Sequence, residues 1–408
     1  MKNSLIVCVL CLLAGAIHAR SLHVGAGHMG WRPALDAAQP FDTLWVHGGE
    51  YREGASIEIT KPMTLIGVDW PLLDGELRYQ PLSIRSSYVS VSGFRVANSP
   101  SNGLEDFAGI KVYNARYVYV WGNRLDNNYF GIYLSNCVRC VVTGNLLHAS
   151  GTAEQTSGNG VHAWKCDSIT IAFNTARGHR DGIYFEFVTN SRIEGNHSEG
   201  NLRYGLHFMF SHNDHYENNT FLHNGAGVAV MYSRRVTMHG NRFWENQGSS
   251  AYGILLKDIS DSQMTENEFL DNTTAIYMEG CTRCHFEHNT FRQNGWALKL
   301  QASCEDNLFI RNNFVANTFD VATNNALVLN RLESNYWDKY EGYDLARDGV
   351  GDVPFRPVSL YARIADDMPY AMMLWRSFMV ALLDRAEKVI PSLTPENLRD
   401  DSPAMKLI

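Results

Sequence analysis

The chain has 408 residues, enough for one large domain or two ordinary ones, with an ordinary hydrophobic fraction of 45%. Its 43 acidic against 35 basic residues leave a formal net charge of −8, which argues against a general nucleic-acid binder with a basic face. Beyond the first twenty residues nothing reaches the unbroken apolar length of a membrane span.

The opening MKNSLIVCVLCLLAGAIHA carries a lysine, an apolar stretch from Leu5 to Ile17 and small residues before Arg20. It reads as a secretory signal over residues 1–19, cleaved after Ala19, so an exported, soluble protein is expected. Cys8 and Cys11 would leave with it. Residues 20–97 read as an N-terminal cap and first coils, with a short helix and then strands separated by Gly and Pro turns over 34–75.

From 98 to 340 the chain repeats. The motif Asn-x-(Phe/Leu) recurs at Asn123, Asn145, Asn196, Asn219, Asn241, Asn267, Asn289 and Asn312, with Asn174 from "FNTA" and Asn335 from "SNYW". Most steps are 22 or 23 residues. Each unit also carries a Gly-hydrophobic strand such as "FGIYLSN", "DGIYFEF" or "YGLHFMF". A fixed period of this size, built of short alternating strands broken by Asn and Gly, predicts a β-solenoid. Three strands and three turns per coil give an all-β, right-handed parallel β-helix, with the Asn side chains stacked as an amide ladder.

Strand alternation then separates the faces. Counting from the strand Gly, Ile183, Leu206 and Val228 face the core, as do Phe185, Phe208 and Val230. One outward column reads Tyr133, His162, Tyr184, His207, Ala229, Leu255, Tyr277, Lys299; the other reads Ser135, Trp164, Glu186, Met209, Met231, Lys257, Glu279, Gln301. His207, Met209, Met231 and Glu186 thus become neighbours on an outward face, either a binding surface or a patch covered by a loop. Excess residues at 150–158 and near "GSSAY" would supply such loops. His215, His239 and His285 face out elsewhere, His212 sits in a turn, and Met238 and Met264 fill an inward column that continues through Phe286 to Leu308.

Six cysteines lie beyond the signal. Cys137 and Cys166 stack on adjacent coils, and Cys281 and Cys304 do so with a one-residue offset. In an oxidising compartment two disulfides are expected, leaving Cys140 and Cys284 free. A zinc site would need four convergent ligands, and the two CxxC pairs lie six coils apart.

Parallel β-helices also serve as carbohydrate-binding and carbohydrate-active proteins, lyases and epimerases among them. That alternative needs clustered carboxylates or a cationic base. Its candidates here, Glu186, Lys257, Asp258, Asp261 and Glu279, spread over five coils, roughly 20 Å. No epimerase signature, Ser-His-Asp order or Gly-rich phosphate loop is apparent, so a non-enzymatic protein is expected. Residues 341–408 leave the repeat. "DLARDGVGD" offers Asp344, Asp348 and Asp352 as oxygen donors for a weak calcium loop, although Ala346 stands where a further donor would be expected. Residues 370–389 have helical spacing, and the end from Pro391 is Pro-rich and charged.

The run "SNYWDKYEGYDLARDGVGDVPFRPVSLYARIADDMPYAMMLWRS…AEKVIP", placed after an Asn-ladder β-helix, resembles NosD, as do "GVAVMYSRRVTM" and "YGILLKDISDS". The resemblance covers the chain beyond the signal. It implies a periplasmic, non-enzymatic maturation factor for nitrous oxide reductase. Such proteins work with the permease and ATPase of an ABC transporter and with a copper-chaperone lipoprotein, in supplying copper or a sulfur species to the reductase. The apolar residues Met372, Met373, Leu374, Phe378 and Leu382 would then dock onto the permease, holding the protein peripheral to the membrane; the other reading is a helix that caps the β-helix end. Copper(I) favours thioether and imidazole ligands. Met209, Met231 and His207 would make a transient copper contact, with Glu186 beside them.

Overall fold

The computed structural model describes residues 19–101, 105–324, 329–374, 377–389 and 398–408. All of the expected signal segment except Ala19 lies outside them. The chain winds as a parallel β-solenoid, each coil giving one strand to each of three sheets of 14, 12 and 13 strands. The coil around the mid-chain histidines shows the pattern. Tyr204–Met209 joins the 12-stranded sheet, His215–Glu217 the 14-stranded one and Thr220–Leu222 the 13-stranded one.

Register follows the column count through most of the repeat. Ile183 pairs with Leu206 and Leu206 with Val228, all essentially inaccessible to solvent. Met238 and Met264 are core residues in one column with Phe286. That column continues at Phe309 rather than Leu308, because an extra residue in the 301–305 corner shifts the register. The same shift brings Thr282 opposite Glu305, which removes the expected offset between Cys281 and Cys304.

Two Asn ladders run up the coil corners. In the first, Asn219 Nδ2 donates to Asn241 Oδ1 at 3.0 Å and to the Ile193 carbonyl at 2.9 Å, and the pattern holds from Asn123 to Asn335. The second runs five residues later, from Asn201 through Asn224, Asn246, Asn272 and Asn294 to Asn317. Each buried amide therefore has partners on both sides, which a parallel stack needs at every corner. Phe221, Phe243, Phe269, Phe291, Phe314 and Trp337 stack between them inside the core.

Both ends are closed. At the start, the helix Trp31–Ala37 lays Trp31 and Ala34 on the first coil, with the Trp31 ring edge-on to Tyr51. At the far end the C-terminal tail, expected only as a polar extension, returns to the last coil. Asp400 accepts hydrogen bonds from the Asn335 N–H, Asn335 Nδ2 and Trp337 Nε1 at 2.9–3.1 Å. It stands where the next ladder Asn would be, and Leu398 is fully buried beside it. The helices Leu360–Asp367 and Phe378–Val389 do not cap this end. Tyr361, Ala362, Ala365 and Val380 instead pack with Trp296, Phe319 and Ala322 along the flank of the 12-stranded sheet.

Candidate metal-contact face

Glu186 pairs with Met209, and Met209 with Met231 on the following coil. All three are half-buried on the outer side of the 12-stranded sheet. Two thioethers at one inter-strand step, about 4.8 Å between backbones, stand close enough to share a soft ion. Directly after each of these three residues the chain turns a corner with positive φ, at Phe187 (55°), Phe210 (49°) and Tyr232 (52°). Equivalent corners elsewhere carry Asn136, Lys165, Asp258 or Gly280. Here the rings are exposed and stacked, Phe187 on Phe210 at 5.2 Å and Phe210 on Tyr232 at 5.1 Å. The same backbone conformation recurs at other bulky corner residues, such as Tyr117 and Phe173; what distinguishes this corner is the exposed stack of three rings.

His207 does not join this face. It lies in the neighbouring column and is only 5% exposed. Arg203, at the approach to the same strand, folds over it. The guanidinium donates to both Asp181 oxygens, at 2.9 and 2.6 Å, and its Nη2 lies 3.1 Å from His207 Nδ1. Tyr184 and Tyr204 close the sides, each with its ring 5.0 Å from the imidazole. A guanidinium can only donate, so Nδ1 accepts from Arg203, while Nε2 is buried without a partner. The imidazole is a buried polar plug rather than an open ligand. Burial alone would push the Asp181 carboxyl up; the nearby His207 ring, 3.7 Å away, and the hydrogen-bonded Arg203 guanidinium outweigh it and hold the carboxyl below its usual range.

Outward direction therefore does not mean exposure along this column. Tyr133 and Tyr184 are buried too. The 150–158 insertion leads into the cover, where Asn159 Nδ2 lies 3.0 Å from His162 Nδ1. Burial, aided by the Arg180 charge, pushes His162 down to about 3, and burial pushes Tyr184 up to about 12.

The model of the family described as "Periplasmic copper-binding protein (NosD)" matches residues 147–343, the stretch that contains this face. A "Probable ABC transporter binding protein NosD" from Stutzerimonas stutzeri is 27% identical over 88% of this chain and 86% of its own length. Its namesake from Pseudomonas aeruginosa is 28% identical over 87% of each. Over 147–343 the chain is similar to the NosD family, and both of these relatives carry that name. Among solved structures, the catalytic unit of a GH87 α-1,3-glucanase from Streptomyces thermodiastaticus superposes with a TM-score of 0.57. At 13% identity over 80% of this chain and 70% of that one, this likeness concerns the fold alone.

The remaining candidate residues take separate places. All six cysteines are buried free thiols, so the expected Cys137–Cys166 and Cys281–Cys304 bridges are not formed. As free thiols they meet one another, Cys137 with Cys166 and Cys281 with Cys304, and also backbone carbonyls, as Cys166 Sγ does at Leu134 and Trp164, both at 3.4 Å. In the 344–352 loop the carboxylates are occupied by main-chain N–H groups. Asp344 accepts from Asp348 and Gly349, Asp348 from Val350, and Asp352 from Leu345. Met372, Met373, Leu374, Phe378 and Leu382 are all exposed, Met373 at 87% and Phe378 at 83%.

Sequence reasoning missed a cluster on the N-terminal cap, where His23, His28 and His47 bring their ring nitrogens together. Its signal was present. His23 and His47 are 24 residues apart, close to one coil, and His28 follows a Gly-Ala-Gly turn.

Proposed function

We propose that this chain is a periplasmic, non-enzymatic copper-handling partner of an ABC transporter in the maturation of nitrous oxide reductase. The observation that carries this reading is the Met209/Met231 pair with Glu186, half-exposed beside the exposed aromatic ladder Phe187, Phe210 and Tyr232. Two thioethers and one carboxylate on an open surface hold copper(I) loosely, as a carrier that must release its cargo requires. The flat aromatic rings beside them suit a protein surface that brings or takes the ion. A copper-chaperone lipoprotein would dock here and complete the ligand set. The exposed apolar group from Met372 to Leu382 would seat on the permease, leaving ATP hydrolysis to the cytoplasmic subunit.

The carbohydrate-active reading has the fold in its favour but not the side chains. Lys257 is paired with Glu279 at 3.2 Å, and Asp261 with Arg283 at 2.7 Å, so most of the candidate acids and bases are already neutralised.

Copper(I) transfer from the chaperone, followed in the wild type and in a Met209→Ala/Met231→Ala variant, tests the contact. Transfer should slow by roughly tenfold or more in the variant, with unchanged circular dichroism. Equal rates would remove the methionine face from the pathway.

A further inference from the structure

We propose that His23, His28 and His47 form a second copper seat, on the N-terminal cap. It rests on the copper reading above only for the choice of ion. It is a separate place. Along the 14-stranded sheet the strand Ser21–Val24 and the strand in the Met209 coil are eight inter-strand steps apart, roughly 40 Å.

The backbone builds the seat from two coils and one loop. His23 lies in the strand Ser21–Val24, which pairs in parallel with Thr43–Val46, and His47 follows that second strand directly. After Val24 the chain doubles back. The His28 N–H donates to the Gly25 carbonyl at 2.9 Å, the Gly25 N–H to the Met29 carbonyl at 3.0 Å and the Met29 N–H to the His23 carbonyl at 3.3 Å. This closed loop returns His28 to the side of His23. Gly25 permits it. With φ at +129°, any Cβ there would fall 2.6 Å from Tyr51 Oη and 3.3 Å from His47 Cβ. Tyr51 Oη in turn donates to the His47 carbonyl at 2.6 Å and fixes the third member.

The three rings lie 4.8–5.3 Å apart, centroid to centroid. Ring stacking does not require nitrogens to converge, yet these do. His23 Nδ1 is 2.9 Å from His47 Nε2, and one nitrogen from each ring lies within 4.8 Å of the others. Two of the rings are exposed and the third half-buried, so an ion can enter from solvent. Three imidazoles with an open fourth direction form a binding set for a first-row transition ion, at about 2.0 Å per nitrogen after small side-chain rotations. For nitrogen ligands copper(II) binds above zinc(II) and the other divalent ions, and imidazole also serves copper(I).

The test titrates the metal-free full chain with copper(I) against a competing chelator, and separately with copper(II) and zinc(II). The wild type should hold copper with imidazole scattering in X-ray absorption. His28→Ala should weaken that binding roughly tenfold or more, and His23→Ala/His28→Ala/His47→Ala should abolish it. Met209→Ala/Met231→Ala should keep the imidazole signal. His28→Gln, a change confined to the exposed loop, repeats the loss without disturbing the cap, and thermal unfolding checks each variant. Undiminished copper in the triple variant overturns the seat, as does retention of zinc with neither copper state bound. Loss of copper by the methionine variant alone also overturns it, while leaving the proposed function intact.

Discussion

Two buried histidines should contribute to the acid sensitivity of the solenoid. Burial holds His162 down at about 3 and His179 down at about 4, and neither nitrogen of His179 has a partner. In the unfolded chain both rings titrate near 6.5. Between about 6.5 and about 4 the unfolded chain therefore takes up protons that the folded one refuses. The stability tied to these rings is fully present above that window and is lost as pH falls through it. Urea midpoints at pH 7 and pH 4.5 should differ less for His179→Gln than for the wild type; an unchanged difference would clear His179 of the role. The cysteines give a second expectation. Burial pushes Cys284 up to about 12, and all six thiols face the interior. Non-reducing alkylation should label none of them in the native protein and all six in denaturant, and any native disulfide found by mass mapping would contradict the structure. The column of each cysteine was legible from the repeat. Their state as free thiols was not, because equal position in the repeat says nothing of whether a bond forms. His207 was misread for a related reason. Alternation fixed its direction correctly, but its cover comes from Arg203 and from an insertion whose path no period describes.

Among elements, the corner ladders and the returning tail carry the testable content. Asp400 receives the Asn335 amide, both adjacent N–H groups at Ser334 and Asn335, and the Trp337 indole. Asp400→Ala would leave these donors buried without an acceptor, at about 1–3 kcal/mol for the first and less for those that reach water. The expected result is a destabilisation of about 3 kcal/mol in urea unfolding and earlier proteolysis of the tail; a loss below about 0.5 kcal/mol would mean that the tail is not a structural cap. The first ladder could be read directly from Asn-x-(Phe/Leu). The second shares its period at an offset of five and was equally visible in strings such as "NTFLHN" and "NEFLDN". Asp400 was not, since it lies 65 residues beyond Asn335 and outside the repeat. The slip between Leu308 and Phe309 was hidden as well, because a count detects an extra residue without saying which corner absorbs it.

At the scale of the whole molecule the solenoid is a rod whose coils contact only their neighbours. It offers separate stations along its length. The histidine cluster stands at the N-terminal cap, the methionine face lies near the middle, and the exposed apolar segment sits on the flank of the last coils. Met373 and Phe378 contribute little to the fold at their exposures, so Met373→Asp/Phe378→Asp should leave the melting temperature within a few degrees of the wild type. The same variant should lose co-purification with the transporter permease if that segment docks there; undiminished co-purification would leave it as an exposed flank with no such role. The solenoid class was legible because a period of 22 residues admits few architectures. The histidine cluster escaped because the first coils, lacking the Asn motif, were never aligned to the rest.

The first Asn ladder has a direction. In every rung the Nδ2 group points toward the following coil and the Oδ1 atom toward the preceding one. Ten side-chain amides from Asn123 to Asn335 thus form one aligned column of dipoles, with its positive end at the C-terminal face. The residue that meets this end is Asp400, an acid rather than a tenth repetition of the amide. A carboxylate there stands to the column as an acidic residue stands to the first turn of an α-helix, opposing the field it meets. The column therefore closes on the chain's own tail, with its last amide donor spent on a buried acid.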